Sequence, residues 1–183
     1  MLLYPAFLSA SRQFHLSMMT SLALIDTLVE HGVEVSIKWP NDILVPSGKI
    51  AGILIENGIM GGHLVHSIIG IGLNVNQSIF PDFPIKASSL AMETSRRLDP
   101  ALLAKEISNR ILERFNQLKI GTGPSLQEEY LEHLYQLDQP SLFISEGREF
   151  IGVIRGINEF GELQVETGSS VKTFSMHSIR LKG

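Results

Sequence analysis

The stretch Lys38-Trp39-Pro40-Asn41-Asp42, followed seven residues past Asp42 by Lys49-Ile50-Ala51-Gly52-Ile53-Leu54-Ile55-Glu56, decides how this chain is read. Two ammonium groups, an amide and a carboxylate stand among residues that otherwise have the texture of buried strand. Leaving such groups in an apolar layer without partners is costly, so a domain keeps them for a ligand or for one another. Pairing the two runs across Pro46-Ser47-Gly48 sets Asp42 roughly opposite Ala51 and Gly52, with Lys49 at the same end. Glycine inside a strand weakens it and marks a place where a ligand or another backbone comes close. Pro40 fixes its own φ and biases Trp39 toward an extended conformation, so Asn41 and Asp42 are expected on a stiff support. Two ammonium groups beside a backbone-lined gap suit a phosphate or carboxylate, and the amide and carboxylate can read hydroxyls or a purine edge. The alternative is a lysine–aspartate pair at a strand end with Asn41 in a turn. It accounts for any one of these residues more easily than for the set.

Outward from this stretch, residues 33–45, 49–56 and 64–76 are rich in Val and Ile and predict three strands. The turns Pro46-Ser47-Gly48 and Met60-Gly61-Gly62 are short, which makes neighbouring strands antiparallel. Upstream, residues 9–32 predict a helix whose apolar stripe is Met18, Leu22, Ile25 and Val29, stopped by Gly32. Downstream, Asp99 is a natural N-cap with Pro100 at the first helical position, and Leu103, Ile107, Ile111, Phe115 and Leu118 hold one face. Gly121-Thr122-Gly123-Pro124 ends that helix. Ser125 and Glu128 then have capping-box spacing, opening a helix expected to bury Leu126, Tyr130 and Leu134. After Asp138-Gln139-Pro140 the strand-type runs shorten and turn signals crowd, which predicts a small antiparallel barrel leaning on the larger unit. The expectation is an α+β chain divided into residues 1–139 and 140–183.

Composition narrows the classes. With 44% apolar and 19% charged residues the chain is globular in type rather than disordered, and no apolar run approaches the length needed to span a bilayer. The start lacks the basic region of a signal peptide, so a cytoplasmic protein with no membrane partner is expected. The absence of cysteine excludes disulfides and thiolate chemistry. A net charge of −4 argues against a dedicated nucleic-acid binder. His63 and His66 fall on opposite faces of a strand, no His-Glu-x-x-His spacing occurs, and no protein-held metal is expected. No Gly-x-Ser-x-Gly elbow is present either. A second candidate segment is Gly70-Ile71-Gly72-Leu73-Asn74-Val75-Asn76, where Asn74 either meets a ligand or bonds to neighbouring backbone.

At these residues the chain resembles a known family. The order Lys38-Trp39-Pro40-Asn41-Asp42, Lys49-x-Ala51-Gly52-Ile53-Leu54-x-Glu56 and Gly70-x-Gly72-x-Asn74-Val75-Asn76 is similar to the signature of biotin protein ligases. Ala87-Ser88-Ser89-Leu90 resembles a later element of that family, and Gly152-Val153-Ile154-Arg155-Gly156-Ile157 with Gly161-Glu162-Leu163 resembles its C-terminal module. The resemblance implies a mixed sheet with helices related to class II aminoacyl-tRNA synthetases and lipoate ligases, plus an SH3-like C-terminal β-barrel. It implies ATP, with Mg²⁺, and biotin as substrates, biotinyl-AMP as intermediate, and a lysine of a biotin carboxyl carrier protein of acetyl-CoA carboxylase as acceptor. Carried over by position, Lys49 would hold the biotin carboxylate and the α-phosphate, with Lys38 and Asp42 supporting that region. Asn41 and Asn74 would contact the adenylate, Ala51, Gly52 and Gly72 would lie along the ligand, and Arg155 and Arg180 would reach in from the barrel. A homodimer is a habit of the family.

The match departs from the family at one place. The glycine- and arginine-rich loop Gly-Arg-Gly-x-x-Gly, expected several tens of residues ahead of Lys38, has no counterpart, and only 37 residues precede Lys38. The upstream Ser-Thr and Gln positions of the biotin pocket and a helix-turn-helix DNA-binding domain are also missing. The expectation is a chain truncated at its N-terminal side, weakly active or inactive alone. The alternatives are a non-catalytic nucleotide-binding or partner remnant, and a lipoate-type ligase.

Overall fold

Tight turns dominate the first half of the chain and set the topology of its sheet. The computed structural model describes residues 1–82 and 85–182. Strands β1 (Leu2–Leu3), β2 (Ser36–Lys38), β3 (Asp42–Val45), β4 (Gly48–Met60) and β5 (His63–Leu73) form a five-stranded sheet in the order β1-β5-β4-β3-β2. Every pairing in it is antiparallel, because β2 to β5 follow one another through turns too short for a crossover. The mixed sheet implied by the family resemblance thus reduces, among the described residues, to isolated parallel bridges at Ile37–Leu134 and Lys49–Ala87. The expected single strand over residues 33–45 is divided: Trp39, Pro40 and Asn41 form a turn with a cis Trp39–Pro40 peptide, and Lys38 pairs with Asp42 across it. The stiff support expected from Pro40 is therefore a hairpin corner, not an extended run.

Behind the sheet lies α1 (Phe14–Glu30), entered through a 3₁₀ turn at Ala10–Arg12. The expected stripe is only part of what it buries. Leu16, Met19, Leu22, Ala23, Leu24 and Leu28 are all nearly inaccessible, whereas Val29 is 52% exposed. The reason is position: β4 packs against α1, as do α3 (Pro100–Ile120) and α4 (Leu126–Glu132), so most of its circumference is covered. Thr20 and Thr27 are tolerated there because each hydroxyl donates back to the carbonyl four residues earlier, at 2.7 and 2.9 Å.

The helix ends follow the sequence closely. The Asp99 carboxylate accepts from the amides of Ala101 and Leu102, Gly121 closes α3 at φ +68°, and the Ser125 hydroxyl accepts from Glu128 N at the start of α4. The short α2 (Leu90–Thr94) is capped by Ser89. Arg114 on α3 ties three helices together. It donates to both Asp26 oxygens on α1, at 2.6 and 2.8 Å, and to Glu129 on α4 at 3.0 Å.

Strands β6 (Pro140–Ser145), β7 (Arg148–Ile157), β8 (Leu163–Thr167), β9 (Ser170–Phe174) and β10 (Arg180–Lys182) make a second antiparallel sheet, ordered β10-β6-β7-β8-β9. The ladder is open: β9 and β10 stand at its two edges. Phe143, Ile154 and Val165 are buried on its inner face, with Phe150 stacked between Phe143 and Phe174 at centroid distances of 5.7 and 6.0 Å. These residues join one apolar cluster with the core of the first sheet.

Candidate functional site

The register of the first sheet gathers residues far apart in sequence into one row. Lys38 lies opposite Asp42, Asp42 opposite Gly52, and Gly52 opposite Gly72. Directly opposed residues share a face of the sheet, so the row runs from a cation through a carboxylate to two positions with no side chain. A register shift beside Leu44 displaces Lys49 from strict alternation, and its side chain bends over the first glycine. The Lys49 ammonium lies 2.5 Å from Asp42 Oδ1 and would sit 3.3 Å from a Cβ built on Gly52. At Gly72 an added Cβ would meet only the Gly52 carbonyl, at 3.9 Å. The two glycines thus form a trough whose charged end is closed by the Lys49–Asp42 pair.

Above the trough is a cavity of about 390 Å³ lined by Lys49, Gly52, Gly72, Asn74, Phe80 and Ile85, together with Ala51 and Ala87. Its size suits a small-molecule ligand. Residues 86–88 run alongside Lys49: Lys49 N donates to Lys86 O and Ser88 N donates to Lys49 O, at 2.7 and 2.9 Å. Glu93 accepts from the hydroxyls of Ser47 and Ser88 and fastens that segment to the Pro46-Ser47 turn. The lysine that closes the trough is therefore held by backbone on both sides.

A larger cavity of about 1080 Å³ lies between the two sheets and is lined by Lys38, Trp39, Asp42, Ile85, Arg180 and His177 among others. Lys38 is 8% exposed. Burial pulls its ammonium below the ordinary lysine range; Asp42 opposes that fall, and the charges of Lys49 and Arg180 add to it. Lys49 and Arg180 thus gather positive charge around Asp42 and Lys38, a setting that suits a compact anion such as phosphate.

The sequence-derived residues divide by what they do here. Lys38, Asp42, Lys49, Ala51, Gly52, Gly72 and Asn74 meet on the row or at the smaller cavity, and Arg180 joins Lys38 at the larger one. The Asn41 side-chain amide donates to Ile53 O at 2.9 Å, and that of Asn74 donates to Ser88 O at 3.0 Å. Both amides thus bond to nearby backbone, the alternative weighed for Asn74, while Asn41 lies in the turn between β2 and β3. Arg155 stands apart: on β7 it donates to Asp138 at 2.5 Å and Glu166 at 2.6 Å, and this placement does not bring it to either cavity's charged row. Phe80, Ile85 and Glu93 were missed. Apolar residues in the proline-bearing stretch after Asn76 were the available signal for the first two; Glu93 carried none.

Residues 4–74 match the model of the biotin/lipoate A/B protein ligase family. The bifunctional ligase/repressor BirA of Escherichia coli is 29% identical over 174 residues, covering 91% of this chain and 53% of the relative. A biotin–[acetyl-CoA-carboxylase] ligase of Paracoccus denitrificans is 28% identical over 157 residues, covering 81% of this chain and 65% of the relative. The chain spans about half the length of the first of these relatives. The Aquifex aeolicus biotin protein ligase solved with biotin and ATP superposes with a TM-score of 0.76 at 24% identity, over 98% of this chain and 76% of that one. That likeness is one of fold.

Proposed function

We propose that the chain is a member of the biotin protein ligase family and that its charged row and trough are the carboxylate- and phosphate-holding part of a biotin–protein ligase site, a reading supported by the family-model match and the curated relatives. The observation that carries this reading is Lys49 bent over Gly52 and paired with Asp42 at the closed end of a side-chain-free trough. In the first step an oxygen of the biotin carboxylate attacks the α-phosphorus of ATP, the bond to pyrophosphate breaks, and biotinyl-AMP forms. In the second, the amine of a carrier-protein lysine attacks the acyl carbon and AMP leaves. Neither step needs a protein nucleophile; both need oriented reactants and cations where negative charge gathers.

Lys49 spans biotin carboxylate and α-phosphate, Asp42 orients Lys49, and Lys38 with Arg180 neutralises the phosphates beyond. Gly52, Gly72 and Ala51 give the ligand room against the sheet, while Asn41 and Asn74 position the backbone that faces the adenylate. Mg²⁺ enters with the ATP triphosphate. The acceptor is a biotin carboxyl carrier domain of a carboxylase, the compartment is the cytoplasm, and a homodimer is compatible with the exposed sheet. We take residues 1–139 as the catalytic unit and residues 140–183 as an SH3-like module.

The 183 residues hold no Gly-Arg-Gly-x-x-Gly stretch, so turnover by this polypeptide alone is expected to be low. Pyrophosphate release from biotin and ATP tests both parts. Lys49→Ala should lower it about 100-fold, by analogy with removal of one charge-stabilising donor; a loss within about threefold would make the role given to Lys49 wrong. Turnover near the median enzyme rate of about 10 per second would refute the expectation of low activity. The charged row present without a Gly-Arg-Gly-x-x-Gly stretch favours one second reading, a nucleotide binder without ligase activity. ATP binding with no pyrophosphate release from biotin or lipoate would select it.

A further inference from the structure

Trp39 is the only tryptophan in the sequence and lies in the turn that separates Lys38 from Asp42. Its indole N–H leaves the first sheet altogether and donates to the Gly161 carbonyl at 2.9 Å, across 122 residues of sequence. Gly161 belongs to the turn between β7 and β8 and has φ +81°. A Cβ built there would lie 2.0 Å from Phe14 Cγ, so the turn is pressed against the first ring of α1. Phe14 in turn meets Tyr130 edge-on at 5.8 Å, and both rings are buried.

The turn is itself well braced. Asn158 Oδ1 accepts from Phe160 N at 3.0 Å and Glu162 N at 2.9 Å, while Asn158 Nδ2 donates to Glu162 Oε2 at 2.8 Å. Gln127 adds a second tie between the units, donating to Ile157 O at 2.9 Å. On the same second sheet, Arg180 lines the large cavity together with Lys38 and Asp42. Trp39 therefore joins the charged row to the unit that delivers Arg180. A tilt of the second sheet would change the distance between Arg180 and Lys38 while leaving the Lys49–Asp42 pair untouched.

We propose that Trp39 is a positioning residue: its clamp on the turn at residues 158–161 seats the second sheet on the first and holds Arg180 beside Lys38. The clamp is a matter of packing and hydrogen bonding; its consequence for a nucleotide rests on the function proposed above. Trp39→Phe keeps an aromatic ring and removes the N–H, a change too mild to unfold the chain.

Amide hydrogen exchange on the full chain decides the clamp. In Trp39→Phe, amides at residues 158–163 and 179–182 should exchange about threefold to tenfold faster, the range set by loss of one hydrogen bond, while those of α3 stay unchanged. No change, or uniform acceleration that includes α3, would overturn the proposal. A spectroscopic arm keeps the tryptophan: in Asn158→Ala the turn loses its brace, and quenching of Trp39 fluorescence by acrylamide should rise. Unchanged quenching would count against the clamp.

Calorimetric titration with ATP separates positioning from general loosening. Trp39→Phe should weaken ATP about threefold to tenfold when Arg180 is present and leave it unchanged in an Arg180→Ala background. Equal losses in both backgrounds would overturn the link to Arg180. Failure of the unmodified chain to bind ATP would count against the proposed function, and the exchange experiment would still decide the clamp.

Discussion

Lys38→Met should make the folded chain more stable at neutral pH, even though it removes a charge from the candidate site. Lys38 is 8% exposed and faces Lys49 and Arg180 as well as Asp42, and the net effect of these surroundings lowers its pKa from the ordinary 10.5. The charged form is thus disfavoured in the fold relative to water. Asp42 would not be stranded by the substitution, because Lys49 stays 2.5 Å from its Oδ1. Removing the buried charge relieves its desolvation cost and gives up the Asp42 attraction, and because the first outweighs the second the gain should be on the order of 1 kcal/mol. For a chain of 183 residues that corresponds to about 2–4 °C in Tm.

The pH dependence carries the sharper information. The folded pKa of Lys38 lies below its unfolded value, so between the two the unfolded chain holds more protons and stability rises with pH. The advantage of Lys38→Met should therefore shrink as pH rises toward 10.5, the ordinary lysine value. Urea unfolding of both proteins at pH 7 and again near the alkaline end of this window measures it. A variant less stable than the parent at pH 7, or a gap that does not move with pH, would refute the reasoning.

Two further substitutions probe the scaffold. Arg114→Met leaves the Asp26 and Glu129 carboxylates without their shared cation; the guanidinium is 13% exposed and its partners 28% and 27%. The cost should fall between a surface and a buried pair, about 2 kcal/mol by urea unfolding, and a loss under about 0.5 kcal/mol would show that the network is ornamental. Tyr130 is buried in full, its hydroxyl lacks a protein partner among the described residues, and burial pushes its phenol pKa upward. Tyr130→Phe should gain about 1 kcal/mol near pH 7. With a raised folded pKa, the parent keeps its full stability below the ordinary phenol value of 10.0 and loses it above, as the unfolded chain ionises; the variant should lack that alkaline loss. Destabilisation of the variant at neutral pH would mean the hydroxyl is bonded after all.

Local signals carried much of the fold. Asp99 and Ser125 cap their helices as their types and spacing require, and Pro46-Ser47 turns β3 back so that Asp42 does face Gly52. The failures share a cause. Residues 33–45 looked like one strand because Val and Ile mark strand texture on both sides of a corner, and texture does not reveal where the chain reverses. Val29 continued the helical period of α1 but lines an open groove with Arg110 and Glu113 of α3 and Glu129 of α4, so its exposure depends on where those helices pack.

The sequence by itself determined the residue types of the site and the hairpin that brings Asp42 to Gly52, because turn chemistry and side-chain period act between near neighbours. Only the tertiary structure completed the row with Gly72, bent Lys49 over the glycines through a register shift, and set Arg180 near Lys38. It also sent Trp39 to Gly161 and turned the amides of Asn41 and Asn74 onto backbone. Those outcomes depend on strand order and on how two sheets pack, interactions between residues that no short window of sequence contains.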